Sequence, residues 1–376
     1  MSPISILHVV DTLAFGGLER TVTDLAIAQH QAGDRVAVFS LLETSGFAPQ
    51  LRAAGIEVQS GGKRGTGDPR VVLALRRLIR RRGVVAVHTH GYVPNVYAAA
   101  TRLTLLRRPT LIGTCHDMGV RLENPVLRRR YLWSVRHSYA IAMVGRQVRE
   151  RFIERGYVAP GQAVLVRNGI PLQNFAGDAA ARVAARRTLG LADTDLVVGC
   201  VGRQVALKNH ALLLAQVPVL AANHPTLRVV LIGDGELGPQ LRAQARQLGI
   251  EARVLFAGER TDVSRLLPAL DIFALPSQTE GLSIALLEAC ATGCAVLASR
   301  VGGNPEIIQE GATGVLVAVD DGEALRAGLA ALLADADQRA RLGAAARAWV
   351  QANASIDTMR LSYDRLYRRV RAQEPR

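Results

Sequence analysis

"ISILHVVDTLAFGGLERTVTDLAIAQHQAGDRVAVFSLL", residues 4–42, decides the fold. Two continuous apolar runs, "ISILHVV" and "DRVAVFSLL", flank a segment whose apolar positions fall at helical spacing and end at a glycine, Gly33. Continuous apolar runs mark strands covered on both faces, and a glycine past the last periodic residue marks a helix end. Strand, helix and strand in this order predict a parallel, doubly wound sheet. The pattern continues through "GIEVQS", "VVAVHTH", "TLIGTCH", "YAIAMVG" and "AVLVRNG". It breaks at "NGIPLQNFAGDAAAR" (168–182), whose Gly, Pro and Asn read as a linker. It restarts with "LVVGCVG", "LRVVLIGDG", "ARVLFAG", "DIFALPS", "CAVLASR" and "GVLVAV". A chain of 376 residues exceeds one ordinary core, so two α/β domains of similar build are expected, 1–170 and 171–355. The closing helix, "IDTMRLSYDRLYRRV", is amphipathic, and its pattern does not say which domain receives it.

Apolar residues make up 49% and charged residues 21%, which places the chain among folded soluble proteins. No run approaches the length of a membrane span, and the opening "MSPISILHVVDTLAFGG" lacks a basic n-region, so it reads as a first strand and not as a signal peptide. Cys115, Cys200, Cys290 and Cys294 contain no CxxC pair and read as buried free thiols in a reducing cytoplasm. The net charge of +14 is segregated: residues 1–170 hold 24 basic and 11 acidic residues, and the remainder 22 and 21. That asymmetry predicts an anionic partner for the first half. Of the 46 basic residues only Lys63 and Lys208 are lysines, which draws attention to both.

Several motifs fall at strand ends, where doubly wound sheets bind ligands. Gly233-x-Gly235-x-x-Gly238 meets the dinucleotide fingerprint, and a NAD(P)-dependent oxidoreductase is the alternative it raises. It follows the second strand of its domain, however, where such a fingerprint normally follows the first; a tight turn lining another ligand fits better. Gly16-Gly17 follows the first strand and suits backbone approach to an anion. His90, and His116 with Asp117, end two neighbouring strands. Arg203 and Lys208, five residues apart after a strand, suit a diphosphate. "DTD" (193–195) and "DAD" (335–337) have the spacing of metal-binding pairs but sit away from strand ends, the second within an alanine-rich helix; both read as surface charge and no metal is expected.

In "SQTEGLSIALLEACATGC" (277–294), Glu280 lies in the loop after a strand, Ser283 is an N-cap, and Glu288 lies about one turn inside the helix. Between the two acids, Gly281, Leu282 and Ser283 bring amides and the positive end of the helix dipole. The parts form an anion cradle with an acid on either side.

Glu280-x7-Glu288, preceded in order by Gly16-Gly17, His116, Arg203 and Lys208, and accompanied by "NGI" at the junction and "GGNPEII" (302–308), resembles the retaining GT-B glycosyltransferases of family 4 along essentially the whole chain. The resemblance implies two Rossmann-like domains facing across a cleft, with a C-terminal helix, 356–376, crossing back to the first. It implies a metal-independent, retaining transfer from a nucleotide-sugar donor, UDP- or GDP-linked, to a glycan or lipid-linked acceptor in envelope or exopolysaccharide biosynthesis, with no cofactor. Arg203 and Lys208 would neutralise the diphosphate with Gly16, Gly17 and the amides of Leu282 and Ser283. Glu288 would hold the ribose, Glu280 the transferred sugar, and the Gly233–Gly235 loop would pack near the base. His116 would meet donor sugar or phosphate, and His90 is a cleft candidate on the acceptor side. A nonhydrolysing nucleotide-sugar epimerase shares the fold, but the ordered donor set argues against it.

The basic first half then suggests a peripheral enzyme on the inner face of the cytoplasmic membrane. "RVVLALRRLIRRRG" (70–83) sets Val72, Leu75 and Ile79 opposite Arg76, Arg77, Arg80 and Arg81. "VLRRRYLWSVRH" (126–137) mixes Arg128, Arg129 and Arg130 with Tyr131 and Trp133, an interfacial composition. Nucleic acid is not expected as a partner, since only 4% of residues are aromatic and no recognition module is present.

Overall fold

The computed structural model of the chain describes residues 3–175 and 178–373. Two units emerge: the described residues up to Gly169 joined by those from Ile356, and the described residues between Ile170 and Ser355. In the first, β1 (Ser5–Val10), β2 (Arg35–Ser40), β3 (Glu57–Ser60), β4 (Ala86–His90), β5 (Thr110–Cys115), β6 (Ala140–Met143) and β7 (Ala163–Leu165) form a parallel sheet in the order β3-β2-β1-β4-β5-β6-β7. In the second, β8 (Leu196–Val201), β9 (Leu227–Ile232), β10 (Val254–Gly258), β11 (Ile272–Leu275), β12 (Ala295–Ser299) and β13 (Val315–Val317) form another, ordered β10-β9-β8-β11-β12-β13. Both are Rossmann-like. The strand order reverses between β1 and β4 and again between β8 and β11, so the loops leaving those strands diverge and open a crevice at the carboxyl edge.

Alternation of side chains decides what each face of the first sheet carries. Leu7, Val9, Ala37, Phe39, Val87 and Leu111 pack on one face against the helices Pro69–Arg82 and Tyr92–Leu103. On the other face Ile4, Ile6, Ala86 and Ile112 meet Leu25 of the helix Gly17–Gln31 and Met359, Tyr363, Leu366 and Tyr367 of the final helix, Ile356–Gln373. The final helix therefore belongs to the first unit. In phase with those apolar residues, but nearer the carboxyl edge, come His8, His88, His90 and Thr114, all buried. The second face is thus apolar at its amino end and polar at its carboxyl end. The second sheet has its own core, in which Val198, Cys200, Val229, Leu231, Ala274 and Leu297 meet Leu213, Leu214 and Val217 of the helix His210–Asn223 and Leu325 and Leu329 of Gly322–Ala334.

Some expectations change. The linker region is more ordered than its composition suggests: Ile170 donates its N–H to the Ala354 carbonyl at 2.9 Å, and a helix, Ala179–Leu189, already begins at a side-chain cap from Asp178. Residues 176–177 of that stretch lie outside the described residues. Asp195 of "DTD" is buried, accepting from the Ala192 N–H at 2.8 Å and pairing with Arg228 at 3.4 Å, so it holds a turn and is not surface charge. Asp335 of "DAD" stands outside the helix Ala336–Asn353 as its N-cap. The four cysteines are free and buried. Among the described residues no helix is long and apolar enough to cross a membrane.

Candidate functional site

The crevice of the second sheet is lined by the loops after β8 and β11. Lys208, at the end of the first loop, donates from Nζ to Oε1 of Glu280 in the second at 2.5 Å. The Glu280 side chain is 9% exposed and that of Lys208 24%, so the pair is shielded but reachable. A backbone bond from Gln278 N–H to the Leu207 carbonyl, 2.9 Å, ties the loops together, and Asp320 accepts from both Asn209 (2.8 Å) and Gln278 (3.0 Å). Arg203, in the same β8 loop, is exposed.

Ser283 caps the helix Ile284–Ala291, its Oγ accepting from the Leu286 N–H at 3.3 Å. The first intrahelical bond runs from Leu287 N–H to the Ser283 carbonyl, so the amides of Ile284 and Ala285 lack an i−4 acceptor inside the helix. Glu288 sits one turn in and is buried at 7% exposure, its side chain facing an enclosed environment. The Glu280–Gly281 backbone is clamped from the neighbouring strand. Gly303 donates its N–H to the Gly281 carbonyl at 2.5 Å, and Gly302, at φ +50°, lies so close that a Cβ there would overlap the Glu280 carbonyl oxygen. This is what the "GG" of "GGNPEII" accomplishes.

The glycine fingerprint has a different cause from the one its spacing suggests. A Cβ on Gly233 would collide with the Gly202 carbonyl; one on Gly235 would lie 2.6 Å from the Gln204 carbonyl oxygen, and one on Gly238 2.8 Å from Gln204 Oε1. Gln204, buried, donates its side-chain amide to the Gly233 carbonyl (2.8 Å) and its N–H to the Asp234 carbonyl (2.9 Å), and accepts from Leu237 N–H (2.9 Å). The three glycines admit the protein's own β8 loop. The close approach of the β8 loop, with Gln204, accounts for the three glycines, so the fingerprint no longer supports an oxidoreductase reading.

In the first unit, Gly16 and Gly17 stand at the start of the helix Gly17–Gln31, with Glu19 in its first turn. His116 follows β5 and is half-buried, with its Nε2 3.1 Å from Nδ1 of His90. His90 itself is 2% exposed, which corrects its placement as a residue facing a cleft: it stands behind His116. Its Nε2 is 2.9 Å from Nδ1 of His8, and His8 Nε2 is 2.7 Å from Oε1 of Gln29. The Gln29 amide nitrogen reaches the Tyr367 hydroxyl (3.2 Å), which also lies 2.8 Å from His88 Nδ1; His88 Nε2 meets Thr114 Oγ1 (2.7 Å), and that oxygen meets the Tyr363 hydroxyl (2.9 Å). Burial lowers the pKa of His8 to about 4, against the upward pull of Gln29. Burial, reinforced by the neighbouring imidazoles, holds His88 and His90 well below the ordinary value too. His116 is lowered by enclosure, although part of it stays open to solvent. The rings His8, His88 and His90 lie close enough together to hold a metal ion. Each of their ring nitrogens already has a hydrogen-bonding partner, so the cluster is complete without one.

Sequence reading missed His8, His88, Gln29, Gln204 and the two tyrosines. Lys63 was visible through the scarcity of lysine; its Nζ pairs with Asp11, immediately past β1, at 3.3 Å. Both lysines of the chain thus pair with an acid at a strand's carboxyl edge.

The basic helices are only partly as expected. In Pro69–Arg82 the buried side is Val71, Leu75, Leu78 and Ile79, with Val72 half-buried. Arg77 and Arg80 are exposed and Arg76 is half-buried, but Arg81 is paired with Glu57, which Arg82 also contacts at 2.5 Å. Arg128, Arg129, Arg130 and Trp133 are exposed on the helix Pro125–Val135.

Comparison with known proteins bears on the family and the fold. The profile of Glycosyltransferase Family 4 matches residues 15–174, and that of Glycosyl transferases group 1 matches residues 182–349. The chain is 30% identical over 301 residues to the GDP-mannose-dependent alpha-(1-6)-phosphatidylinositol monomannoside mannosyltransferase of Mycolicibacterium smegmatis, covering 76% of this chain and 77% of that one. It is 26% identical over 263 residues to the UDP-Gal:alpha-D-GlcNAc-diphosphoundecaprenol alpha-1,3-galactosyltransferase of Escherichia coli, covering 68% and 67%. The crystal structure of Anabaena HepE in complex with UDP-glucose has the same fold, with a TM-score of 0.86 at 21% identity over 96% of this chain and 99% of that one.

Two outcomes follow from the geometry. Gly302→Ala combines left-handed strain with overlap on Glu280 and is expected to cost roughly 2 kcal/mol or more. Gly311→Ala, at φ +71° in open space, carries the strain alone and should cost about half as much; urea denaturation of the pair separates the two terms. The buried imidazoles predict a pH dependence. Their folded pKa values lie below the unfolded 6.5, so they contribute nothing above that pH. As the pH falls below 6.5 the unfolded chain takes up protons that the folded chain refuses, and stability drops until the folded pKa is reached. Three such rings give a slope approaching about 4 kcal/mol per pH unit. Denaturation at pH 7.5, 6.5 and 5.5 checks it, and a flat profile would show that the folded rings take up protons as readily as the unfolded ones.

Proposed function

The chain belongs to the family 4 glycosyltransferases, and on that premise we propose that it moves a sugar from a UDP- or GDP-sugar to a lipid-linked or glycan acceptor, with retention and without a metal. The observation that carries this reading is the Lys208–Glu280 pair at 2.5 Å. In a nucleotide sugar the leaving phosphate and the transferred ring are joined at one carbon, so the groups that recognise them must stand a few ångströms apart. A phosphate-neutralising ammonium beside a hydroxyl-accepting carboxylate, at the switch point of the sheet, meets that requirement. The relatives named above, one GDP-mannose-dependent and one acting with UDP-Gal, support a nucleotide-sugar donor and lipid acceptors.

The chemistry concentrates charge on the departing diphosphate. Lys208 and Arg203 supply fixed positive charge, and the amides opening the helix Ile284–Ala291 supply its dipole, so no metal is needed for that task. Glu288, one turn along, holds the ribose hydroxyls; Glu280 holds those of the sugar and keeps Lys208 oriented between turnovers. Retention follows from attack on the face the diphosphate leaves, with a phosphate oxygen taking the acceptor's proton, so no side chain acts as covalent nucleophile.

The first unit is proposed to dock on the inner face of the cytoplasmic membrane. The two basic helices pack on either side of Tyr92–Leu103, and the turn that follows exposes Leu106 completely beside the exposed Arg107 and Arg108. Leu73, Val126 and Trp133 are exposed beside the arginines, giving apolar anchors among positive charge. Each cation near an anionic surface contributes about 1 kcal/mol.

Titration with a panel of UDP- and GDP-sugars is expected to show tight binding of one nucleotide family, unaffected by EDTA and lost in both Lys208→Ala and Glu288→Ala. Binding that survives both substitutions would remove the donor site from this crevice. For the membrane, flotation should recover the protein with anionic liposomes and not with neutral ones; equal recovery would rule out electrostatic docking.

A further inference from the structure

Hydrogen-bond bookkeeping in the buried histidine cluster has a single solution once one amide is placed. A neutral imidazole has one N–H and one lone pair, and burial keeps these rings neutral. Gln29 presents Oε1 to His8 Nε2 at 2.7 Å, and a carbonyl oxygen can only accept, so His8 carries its proton on Nε2. Its Nδ1 is then an acceptor, which puts the His90 proton on the Nε2 that faces it at 2.9 Å. The same step fixes His116, whose Nε2 must donate to His90 Nδ1 at 3.1 Å. On the other side the Gln29 amide donates to the Tyr367 hydroxyl, which must donate to His88 Nδ1; His88 then donates from Nε2 to Thr114. One amide, gripped by a tyrosine of the final helix, orders the protons of four imidazoles.

We propose that Gln29 and Tyr367 are positioning residues that lock His116 as its Nε2–H tautomer, leaving Nδ1 as an acceptor, so that His116 engages a substrate hydroxyl and not a phosphate oxygen. This deepens the reading of the chain as a nucleotide-sugar transferase and rests on it for the identity of the hydroxyl. An acceptor nitrogen repels a phosphate oxygen, which has no proton to give, and takes a hydrogen bond from a sugar hydroxyl. The sense of the chain is set about three residues deep, where solvent cannot scramble it. Reversal of the Gln29 amide would reverse every proton along the path and turn His116 into a donor.

Multiple-bond proton–nitrogen spectra of the full-length, nitrogen-15-labelled protein read the tautomer directly, with His116→Gln and His90→Gln identifying the signals. The expected result is Nε2–H for His8, His88, His90 and His116, and a mixture of both tautomers at His116 in Gln29→Leu. Tyr367→Phe, which removes only a hydroxyl, should also give a mixture and serves if Gln29→Leu does not fold. Transfer should fall about tenfold in kcat/KM in either variant, the loss of one hydrogen bond, while nucleoside diphosphate affinity stays unchanged. Nδ1–H at His116 in the parent protein, or no change of tautomer in both variants, would overturn the proposal. Signals from His8, His88 and His90 that shift on adding EDTA would replace it with a metal site. If the tautomers are as expected and no nucleotide sugar binds, the locked tautomer stands and the proposed function fails.

Discussion

Parallel strands all deliver their carboxyl ends to the same edge, and that constraint governs both units. Helical crossovers allow no other direction, so loops that differ widely in sequence are gathered at one margin of each sheet. Where the strand order reverses, adjacent loops diverge and the margin opens. Lys208 and Glu280 are 72 residues apart and meet only because β8 and β11 are neighbours across such a reversal. Asp11, just past β1, stands at the corresponding reversal of the other sheet, with Lys63 brought to it from beyond β3.

Each margin carries one lysine–acid pair, and the first adds a region where charge is excluded. In the second unit an ion pair is kept shielded but reachable, with a helix N-terminus beside it, a setting in which anionic groups are stabilised without side-chain rearrangement. In the first unit, beside its own Lys63–Asp11 pair, the buried cluster excludes charge: imidazoles are packed until the protonated form becomes costly, and each proton is assigned by its neighbour. A cluster of this kind can tolerate no unsatisfied member, since an unpaired buried polar atom costs more than a satisfied one gains.

How much of this was legible in the chain depended on the range over which each signal acts. Every strand announced itself through a local, mainly apolar run, because burial favours apolar side chains there, although His8, His88, His90 and Thr114 sit inside such runs. Ser283 was legible as a cap for the same reason: its effect spans three residues. The Gly233 motif misled because its glycines record a close approach by Gln204, from a different strand, and spacing cannot distinguish the protein's own loop from a ligand. The histidine cluster was legible only at its outer end. Gln29 and Tyr367 are 338 positions apart, and nothing local to either signals the other. Asp195 looked like surface charge because its partner, Arg228, lies on the next strand.

The final helix carries a consequence for how the chain comes into being. Its Tyr363 and Tyr367 close the polar end of a face whose strands, β1, β4 and β5, all precede the second unit in the chain. A ribosome emits those strands first and must then produce the whole of the second unit before the helix that covers them exists. Throughout that interval His88 and Thr114 lie on a sheet face that has no lid, while the second unit, continuous from Ile170 to Ser355, can complete itself. The order of completion is therefore the reverse of the order of synthesis: the unit that begins the chain is the last to close.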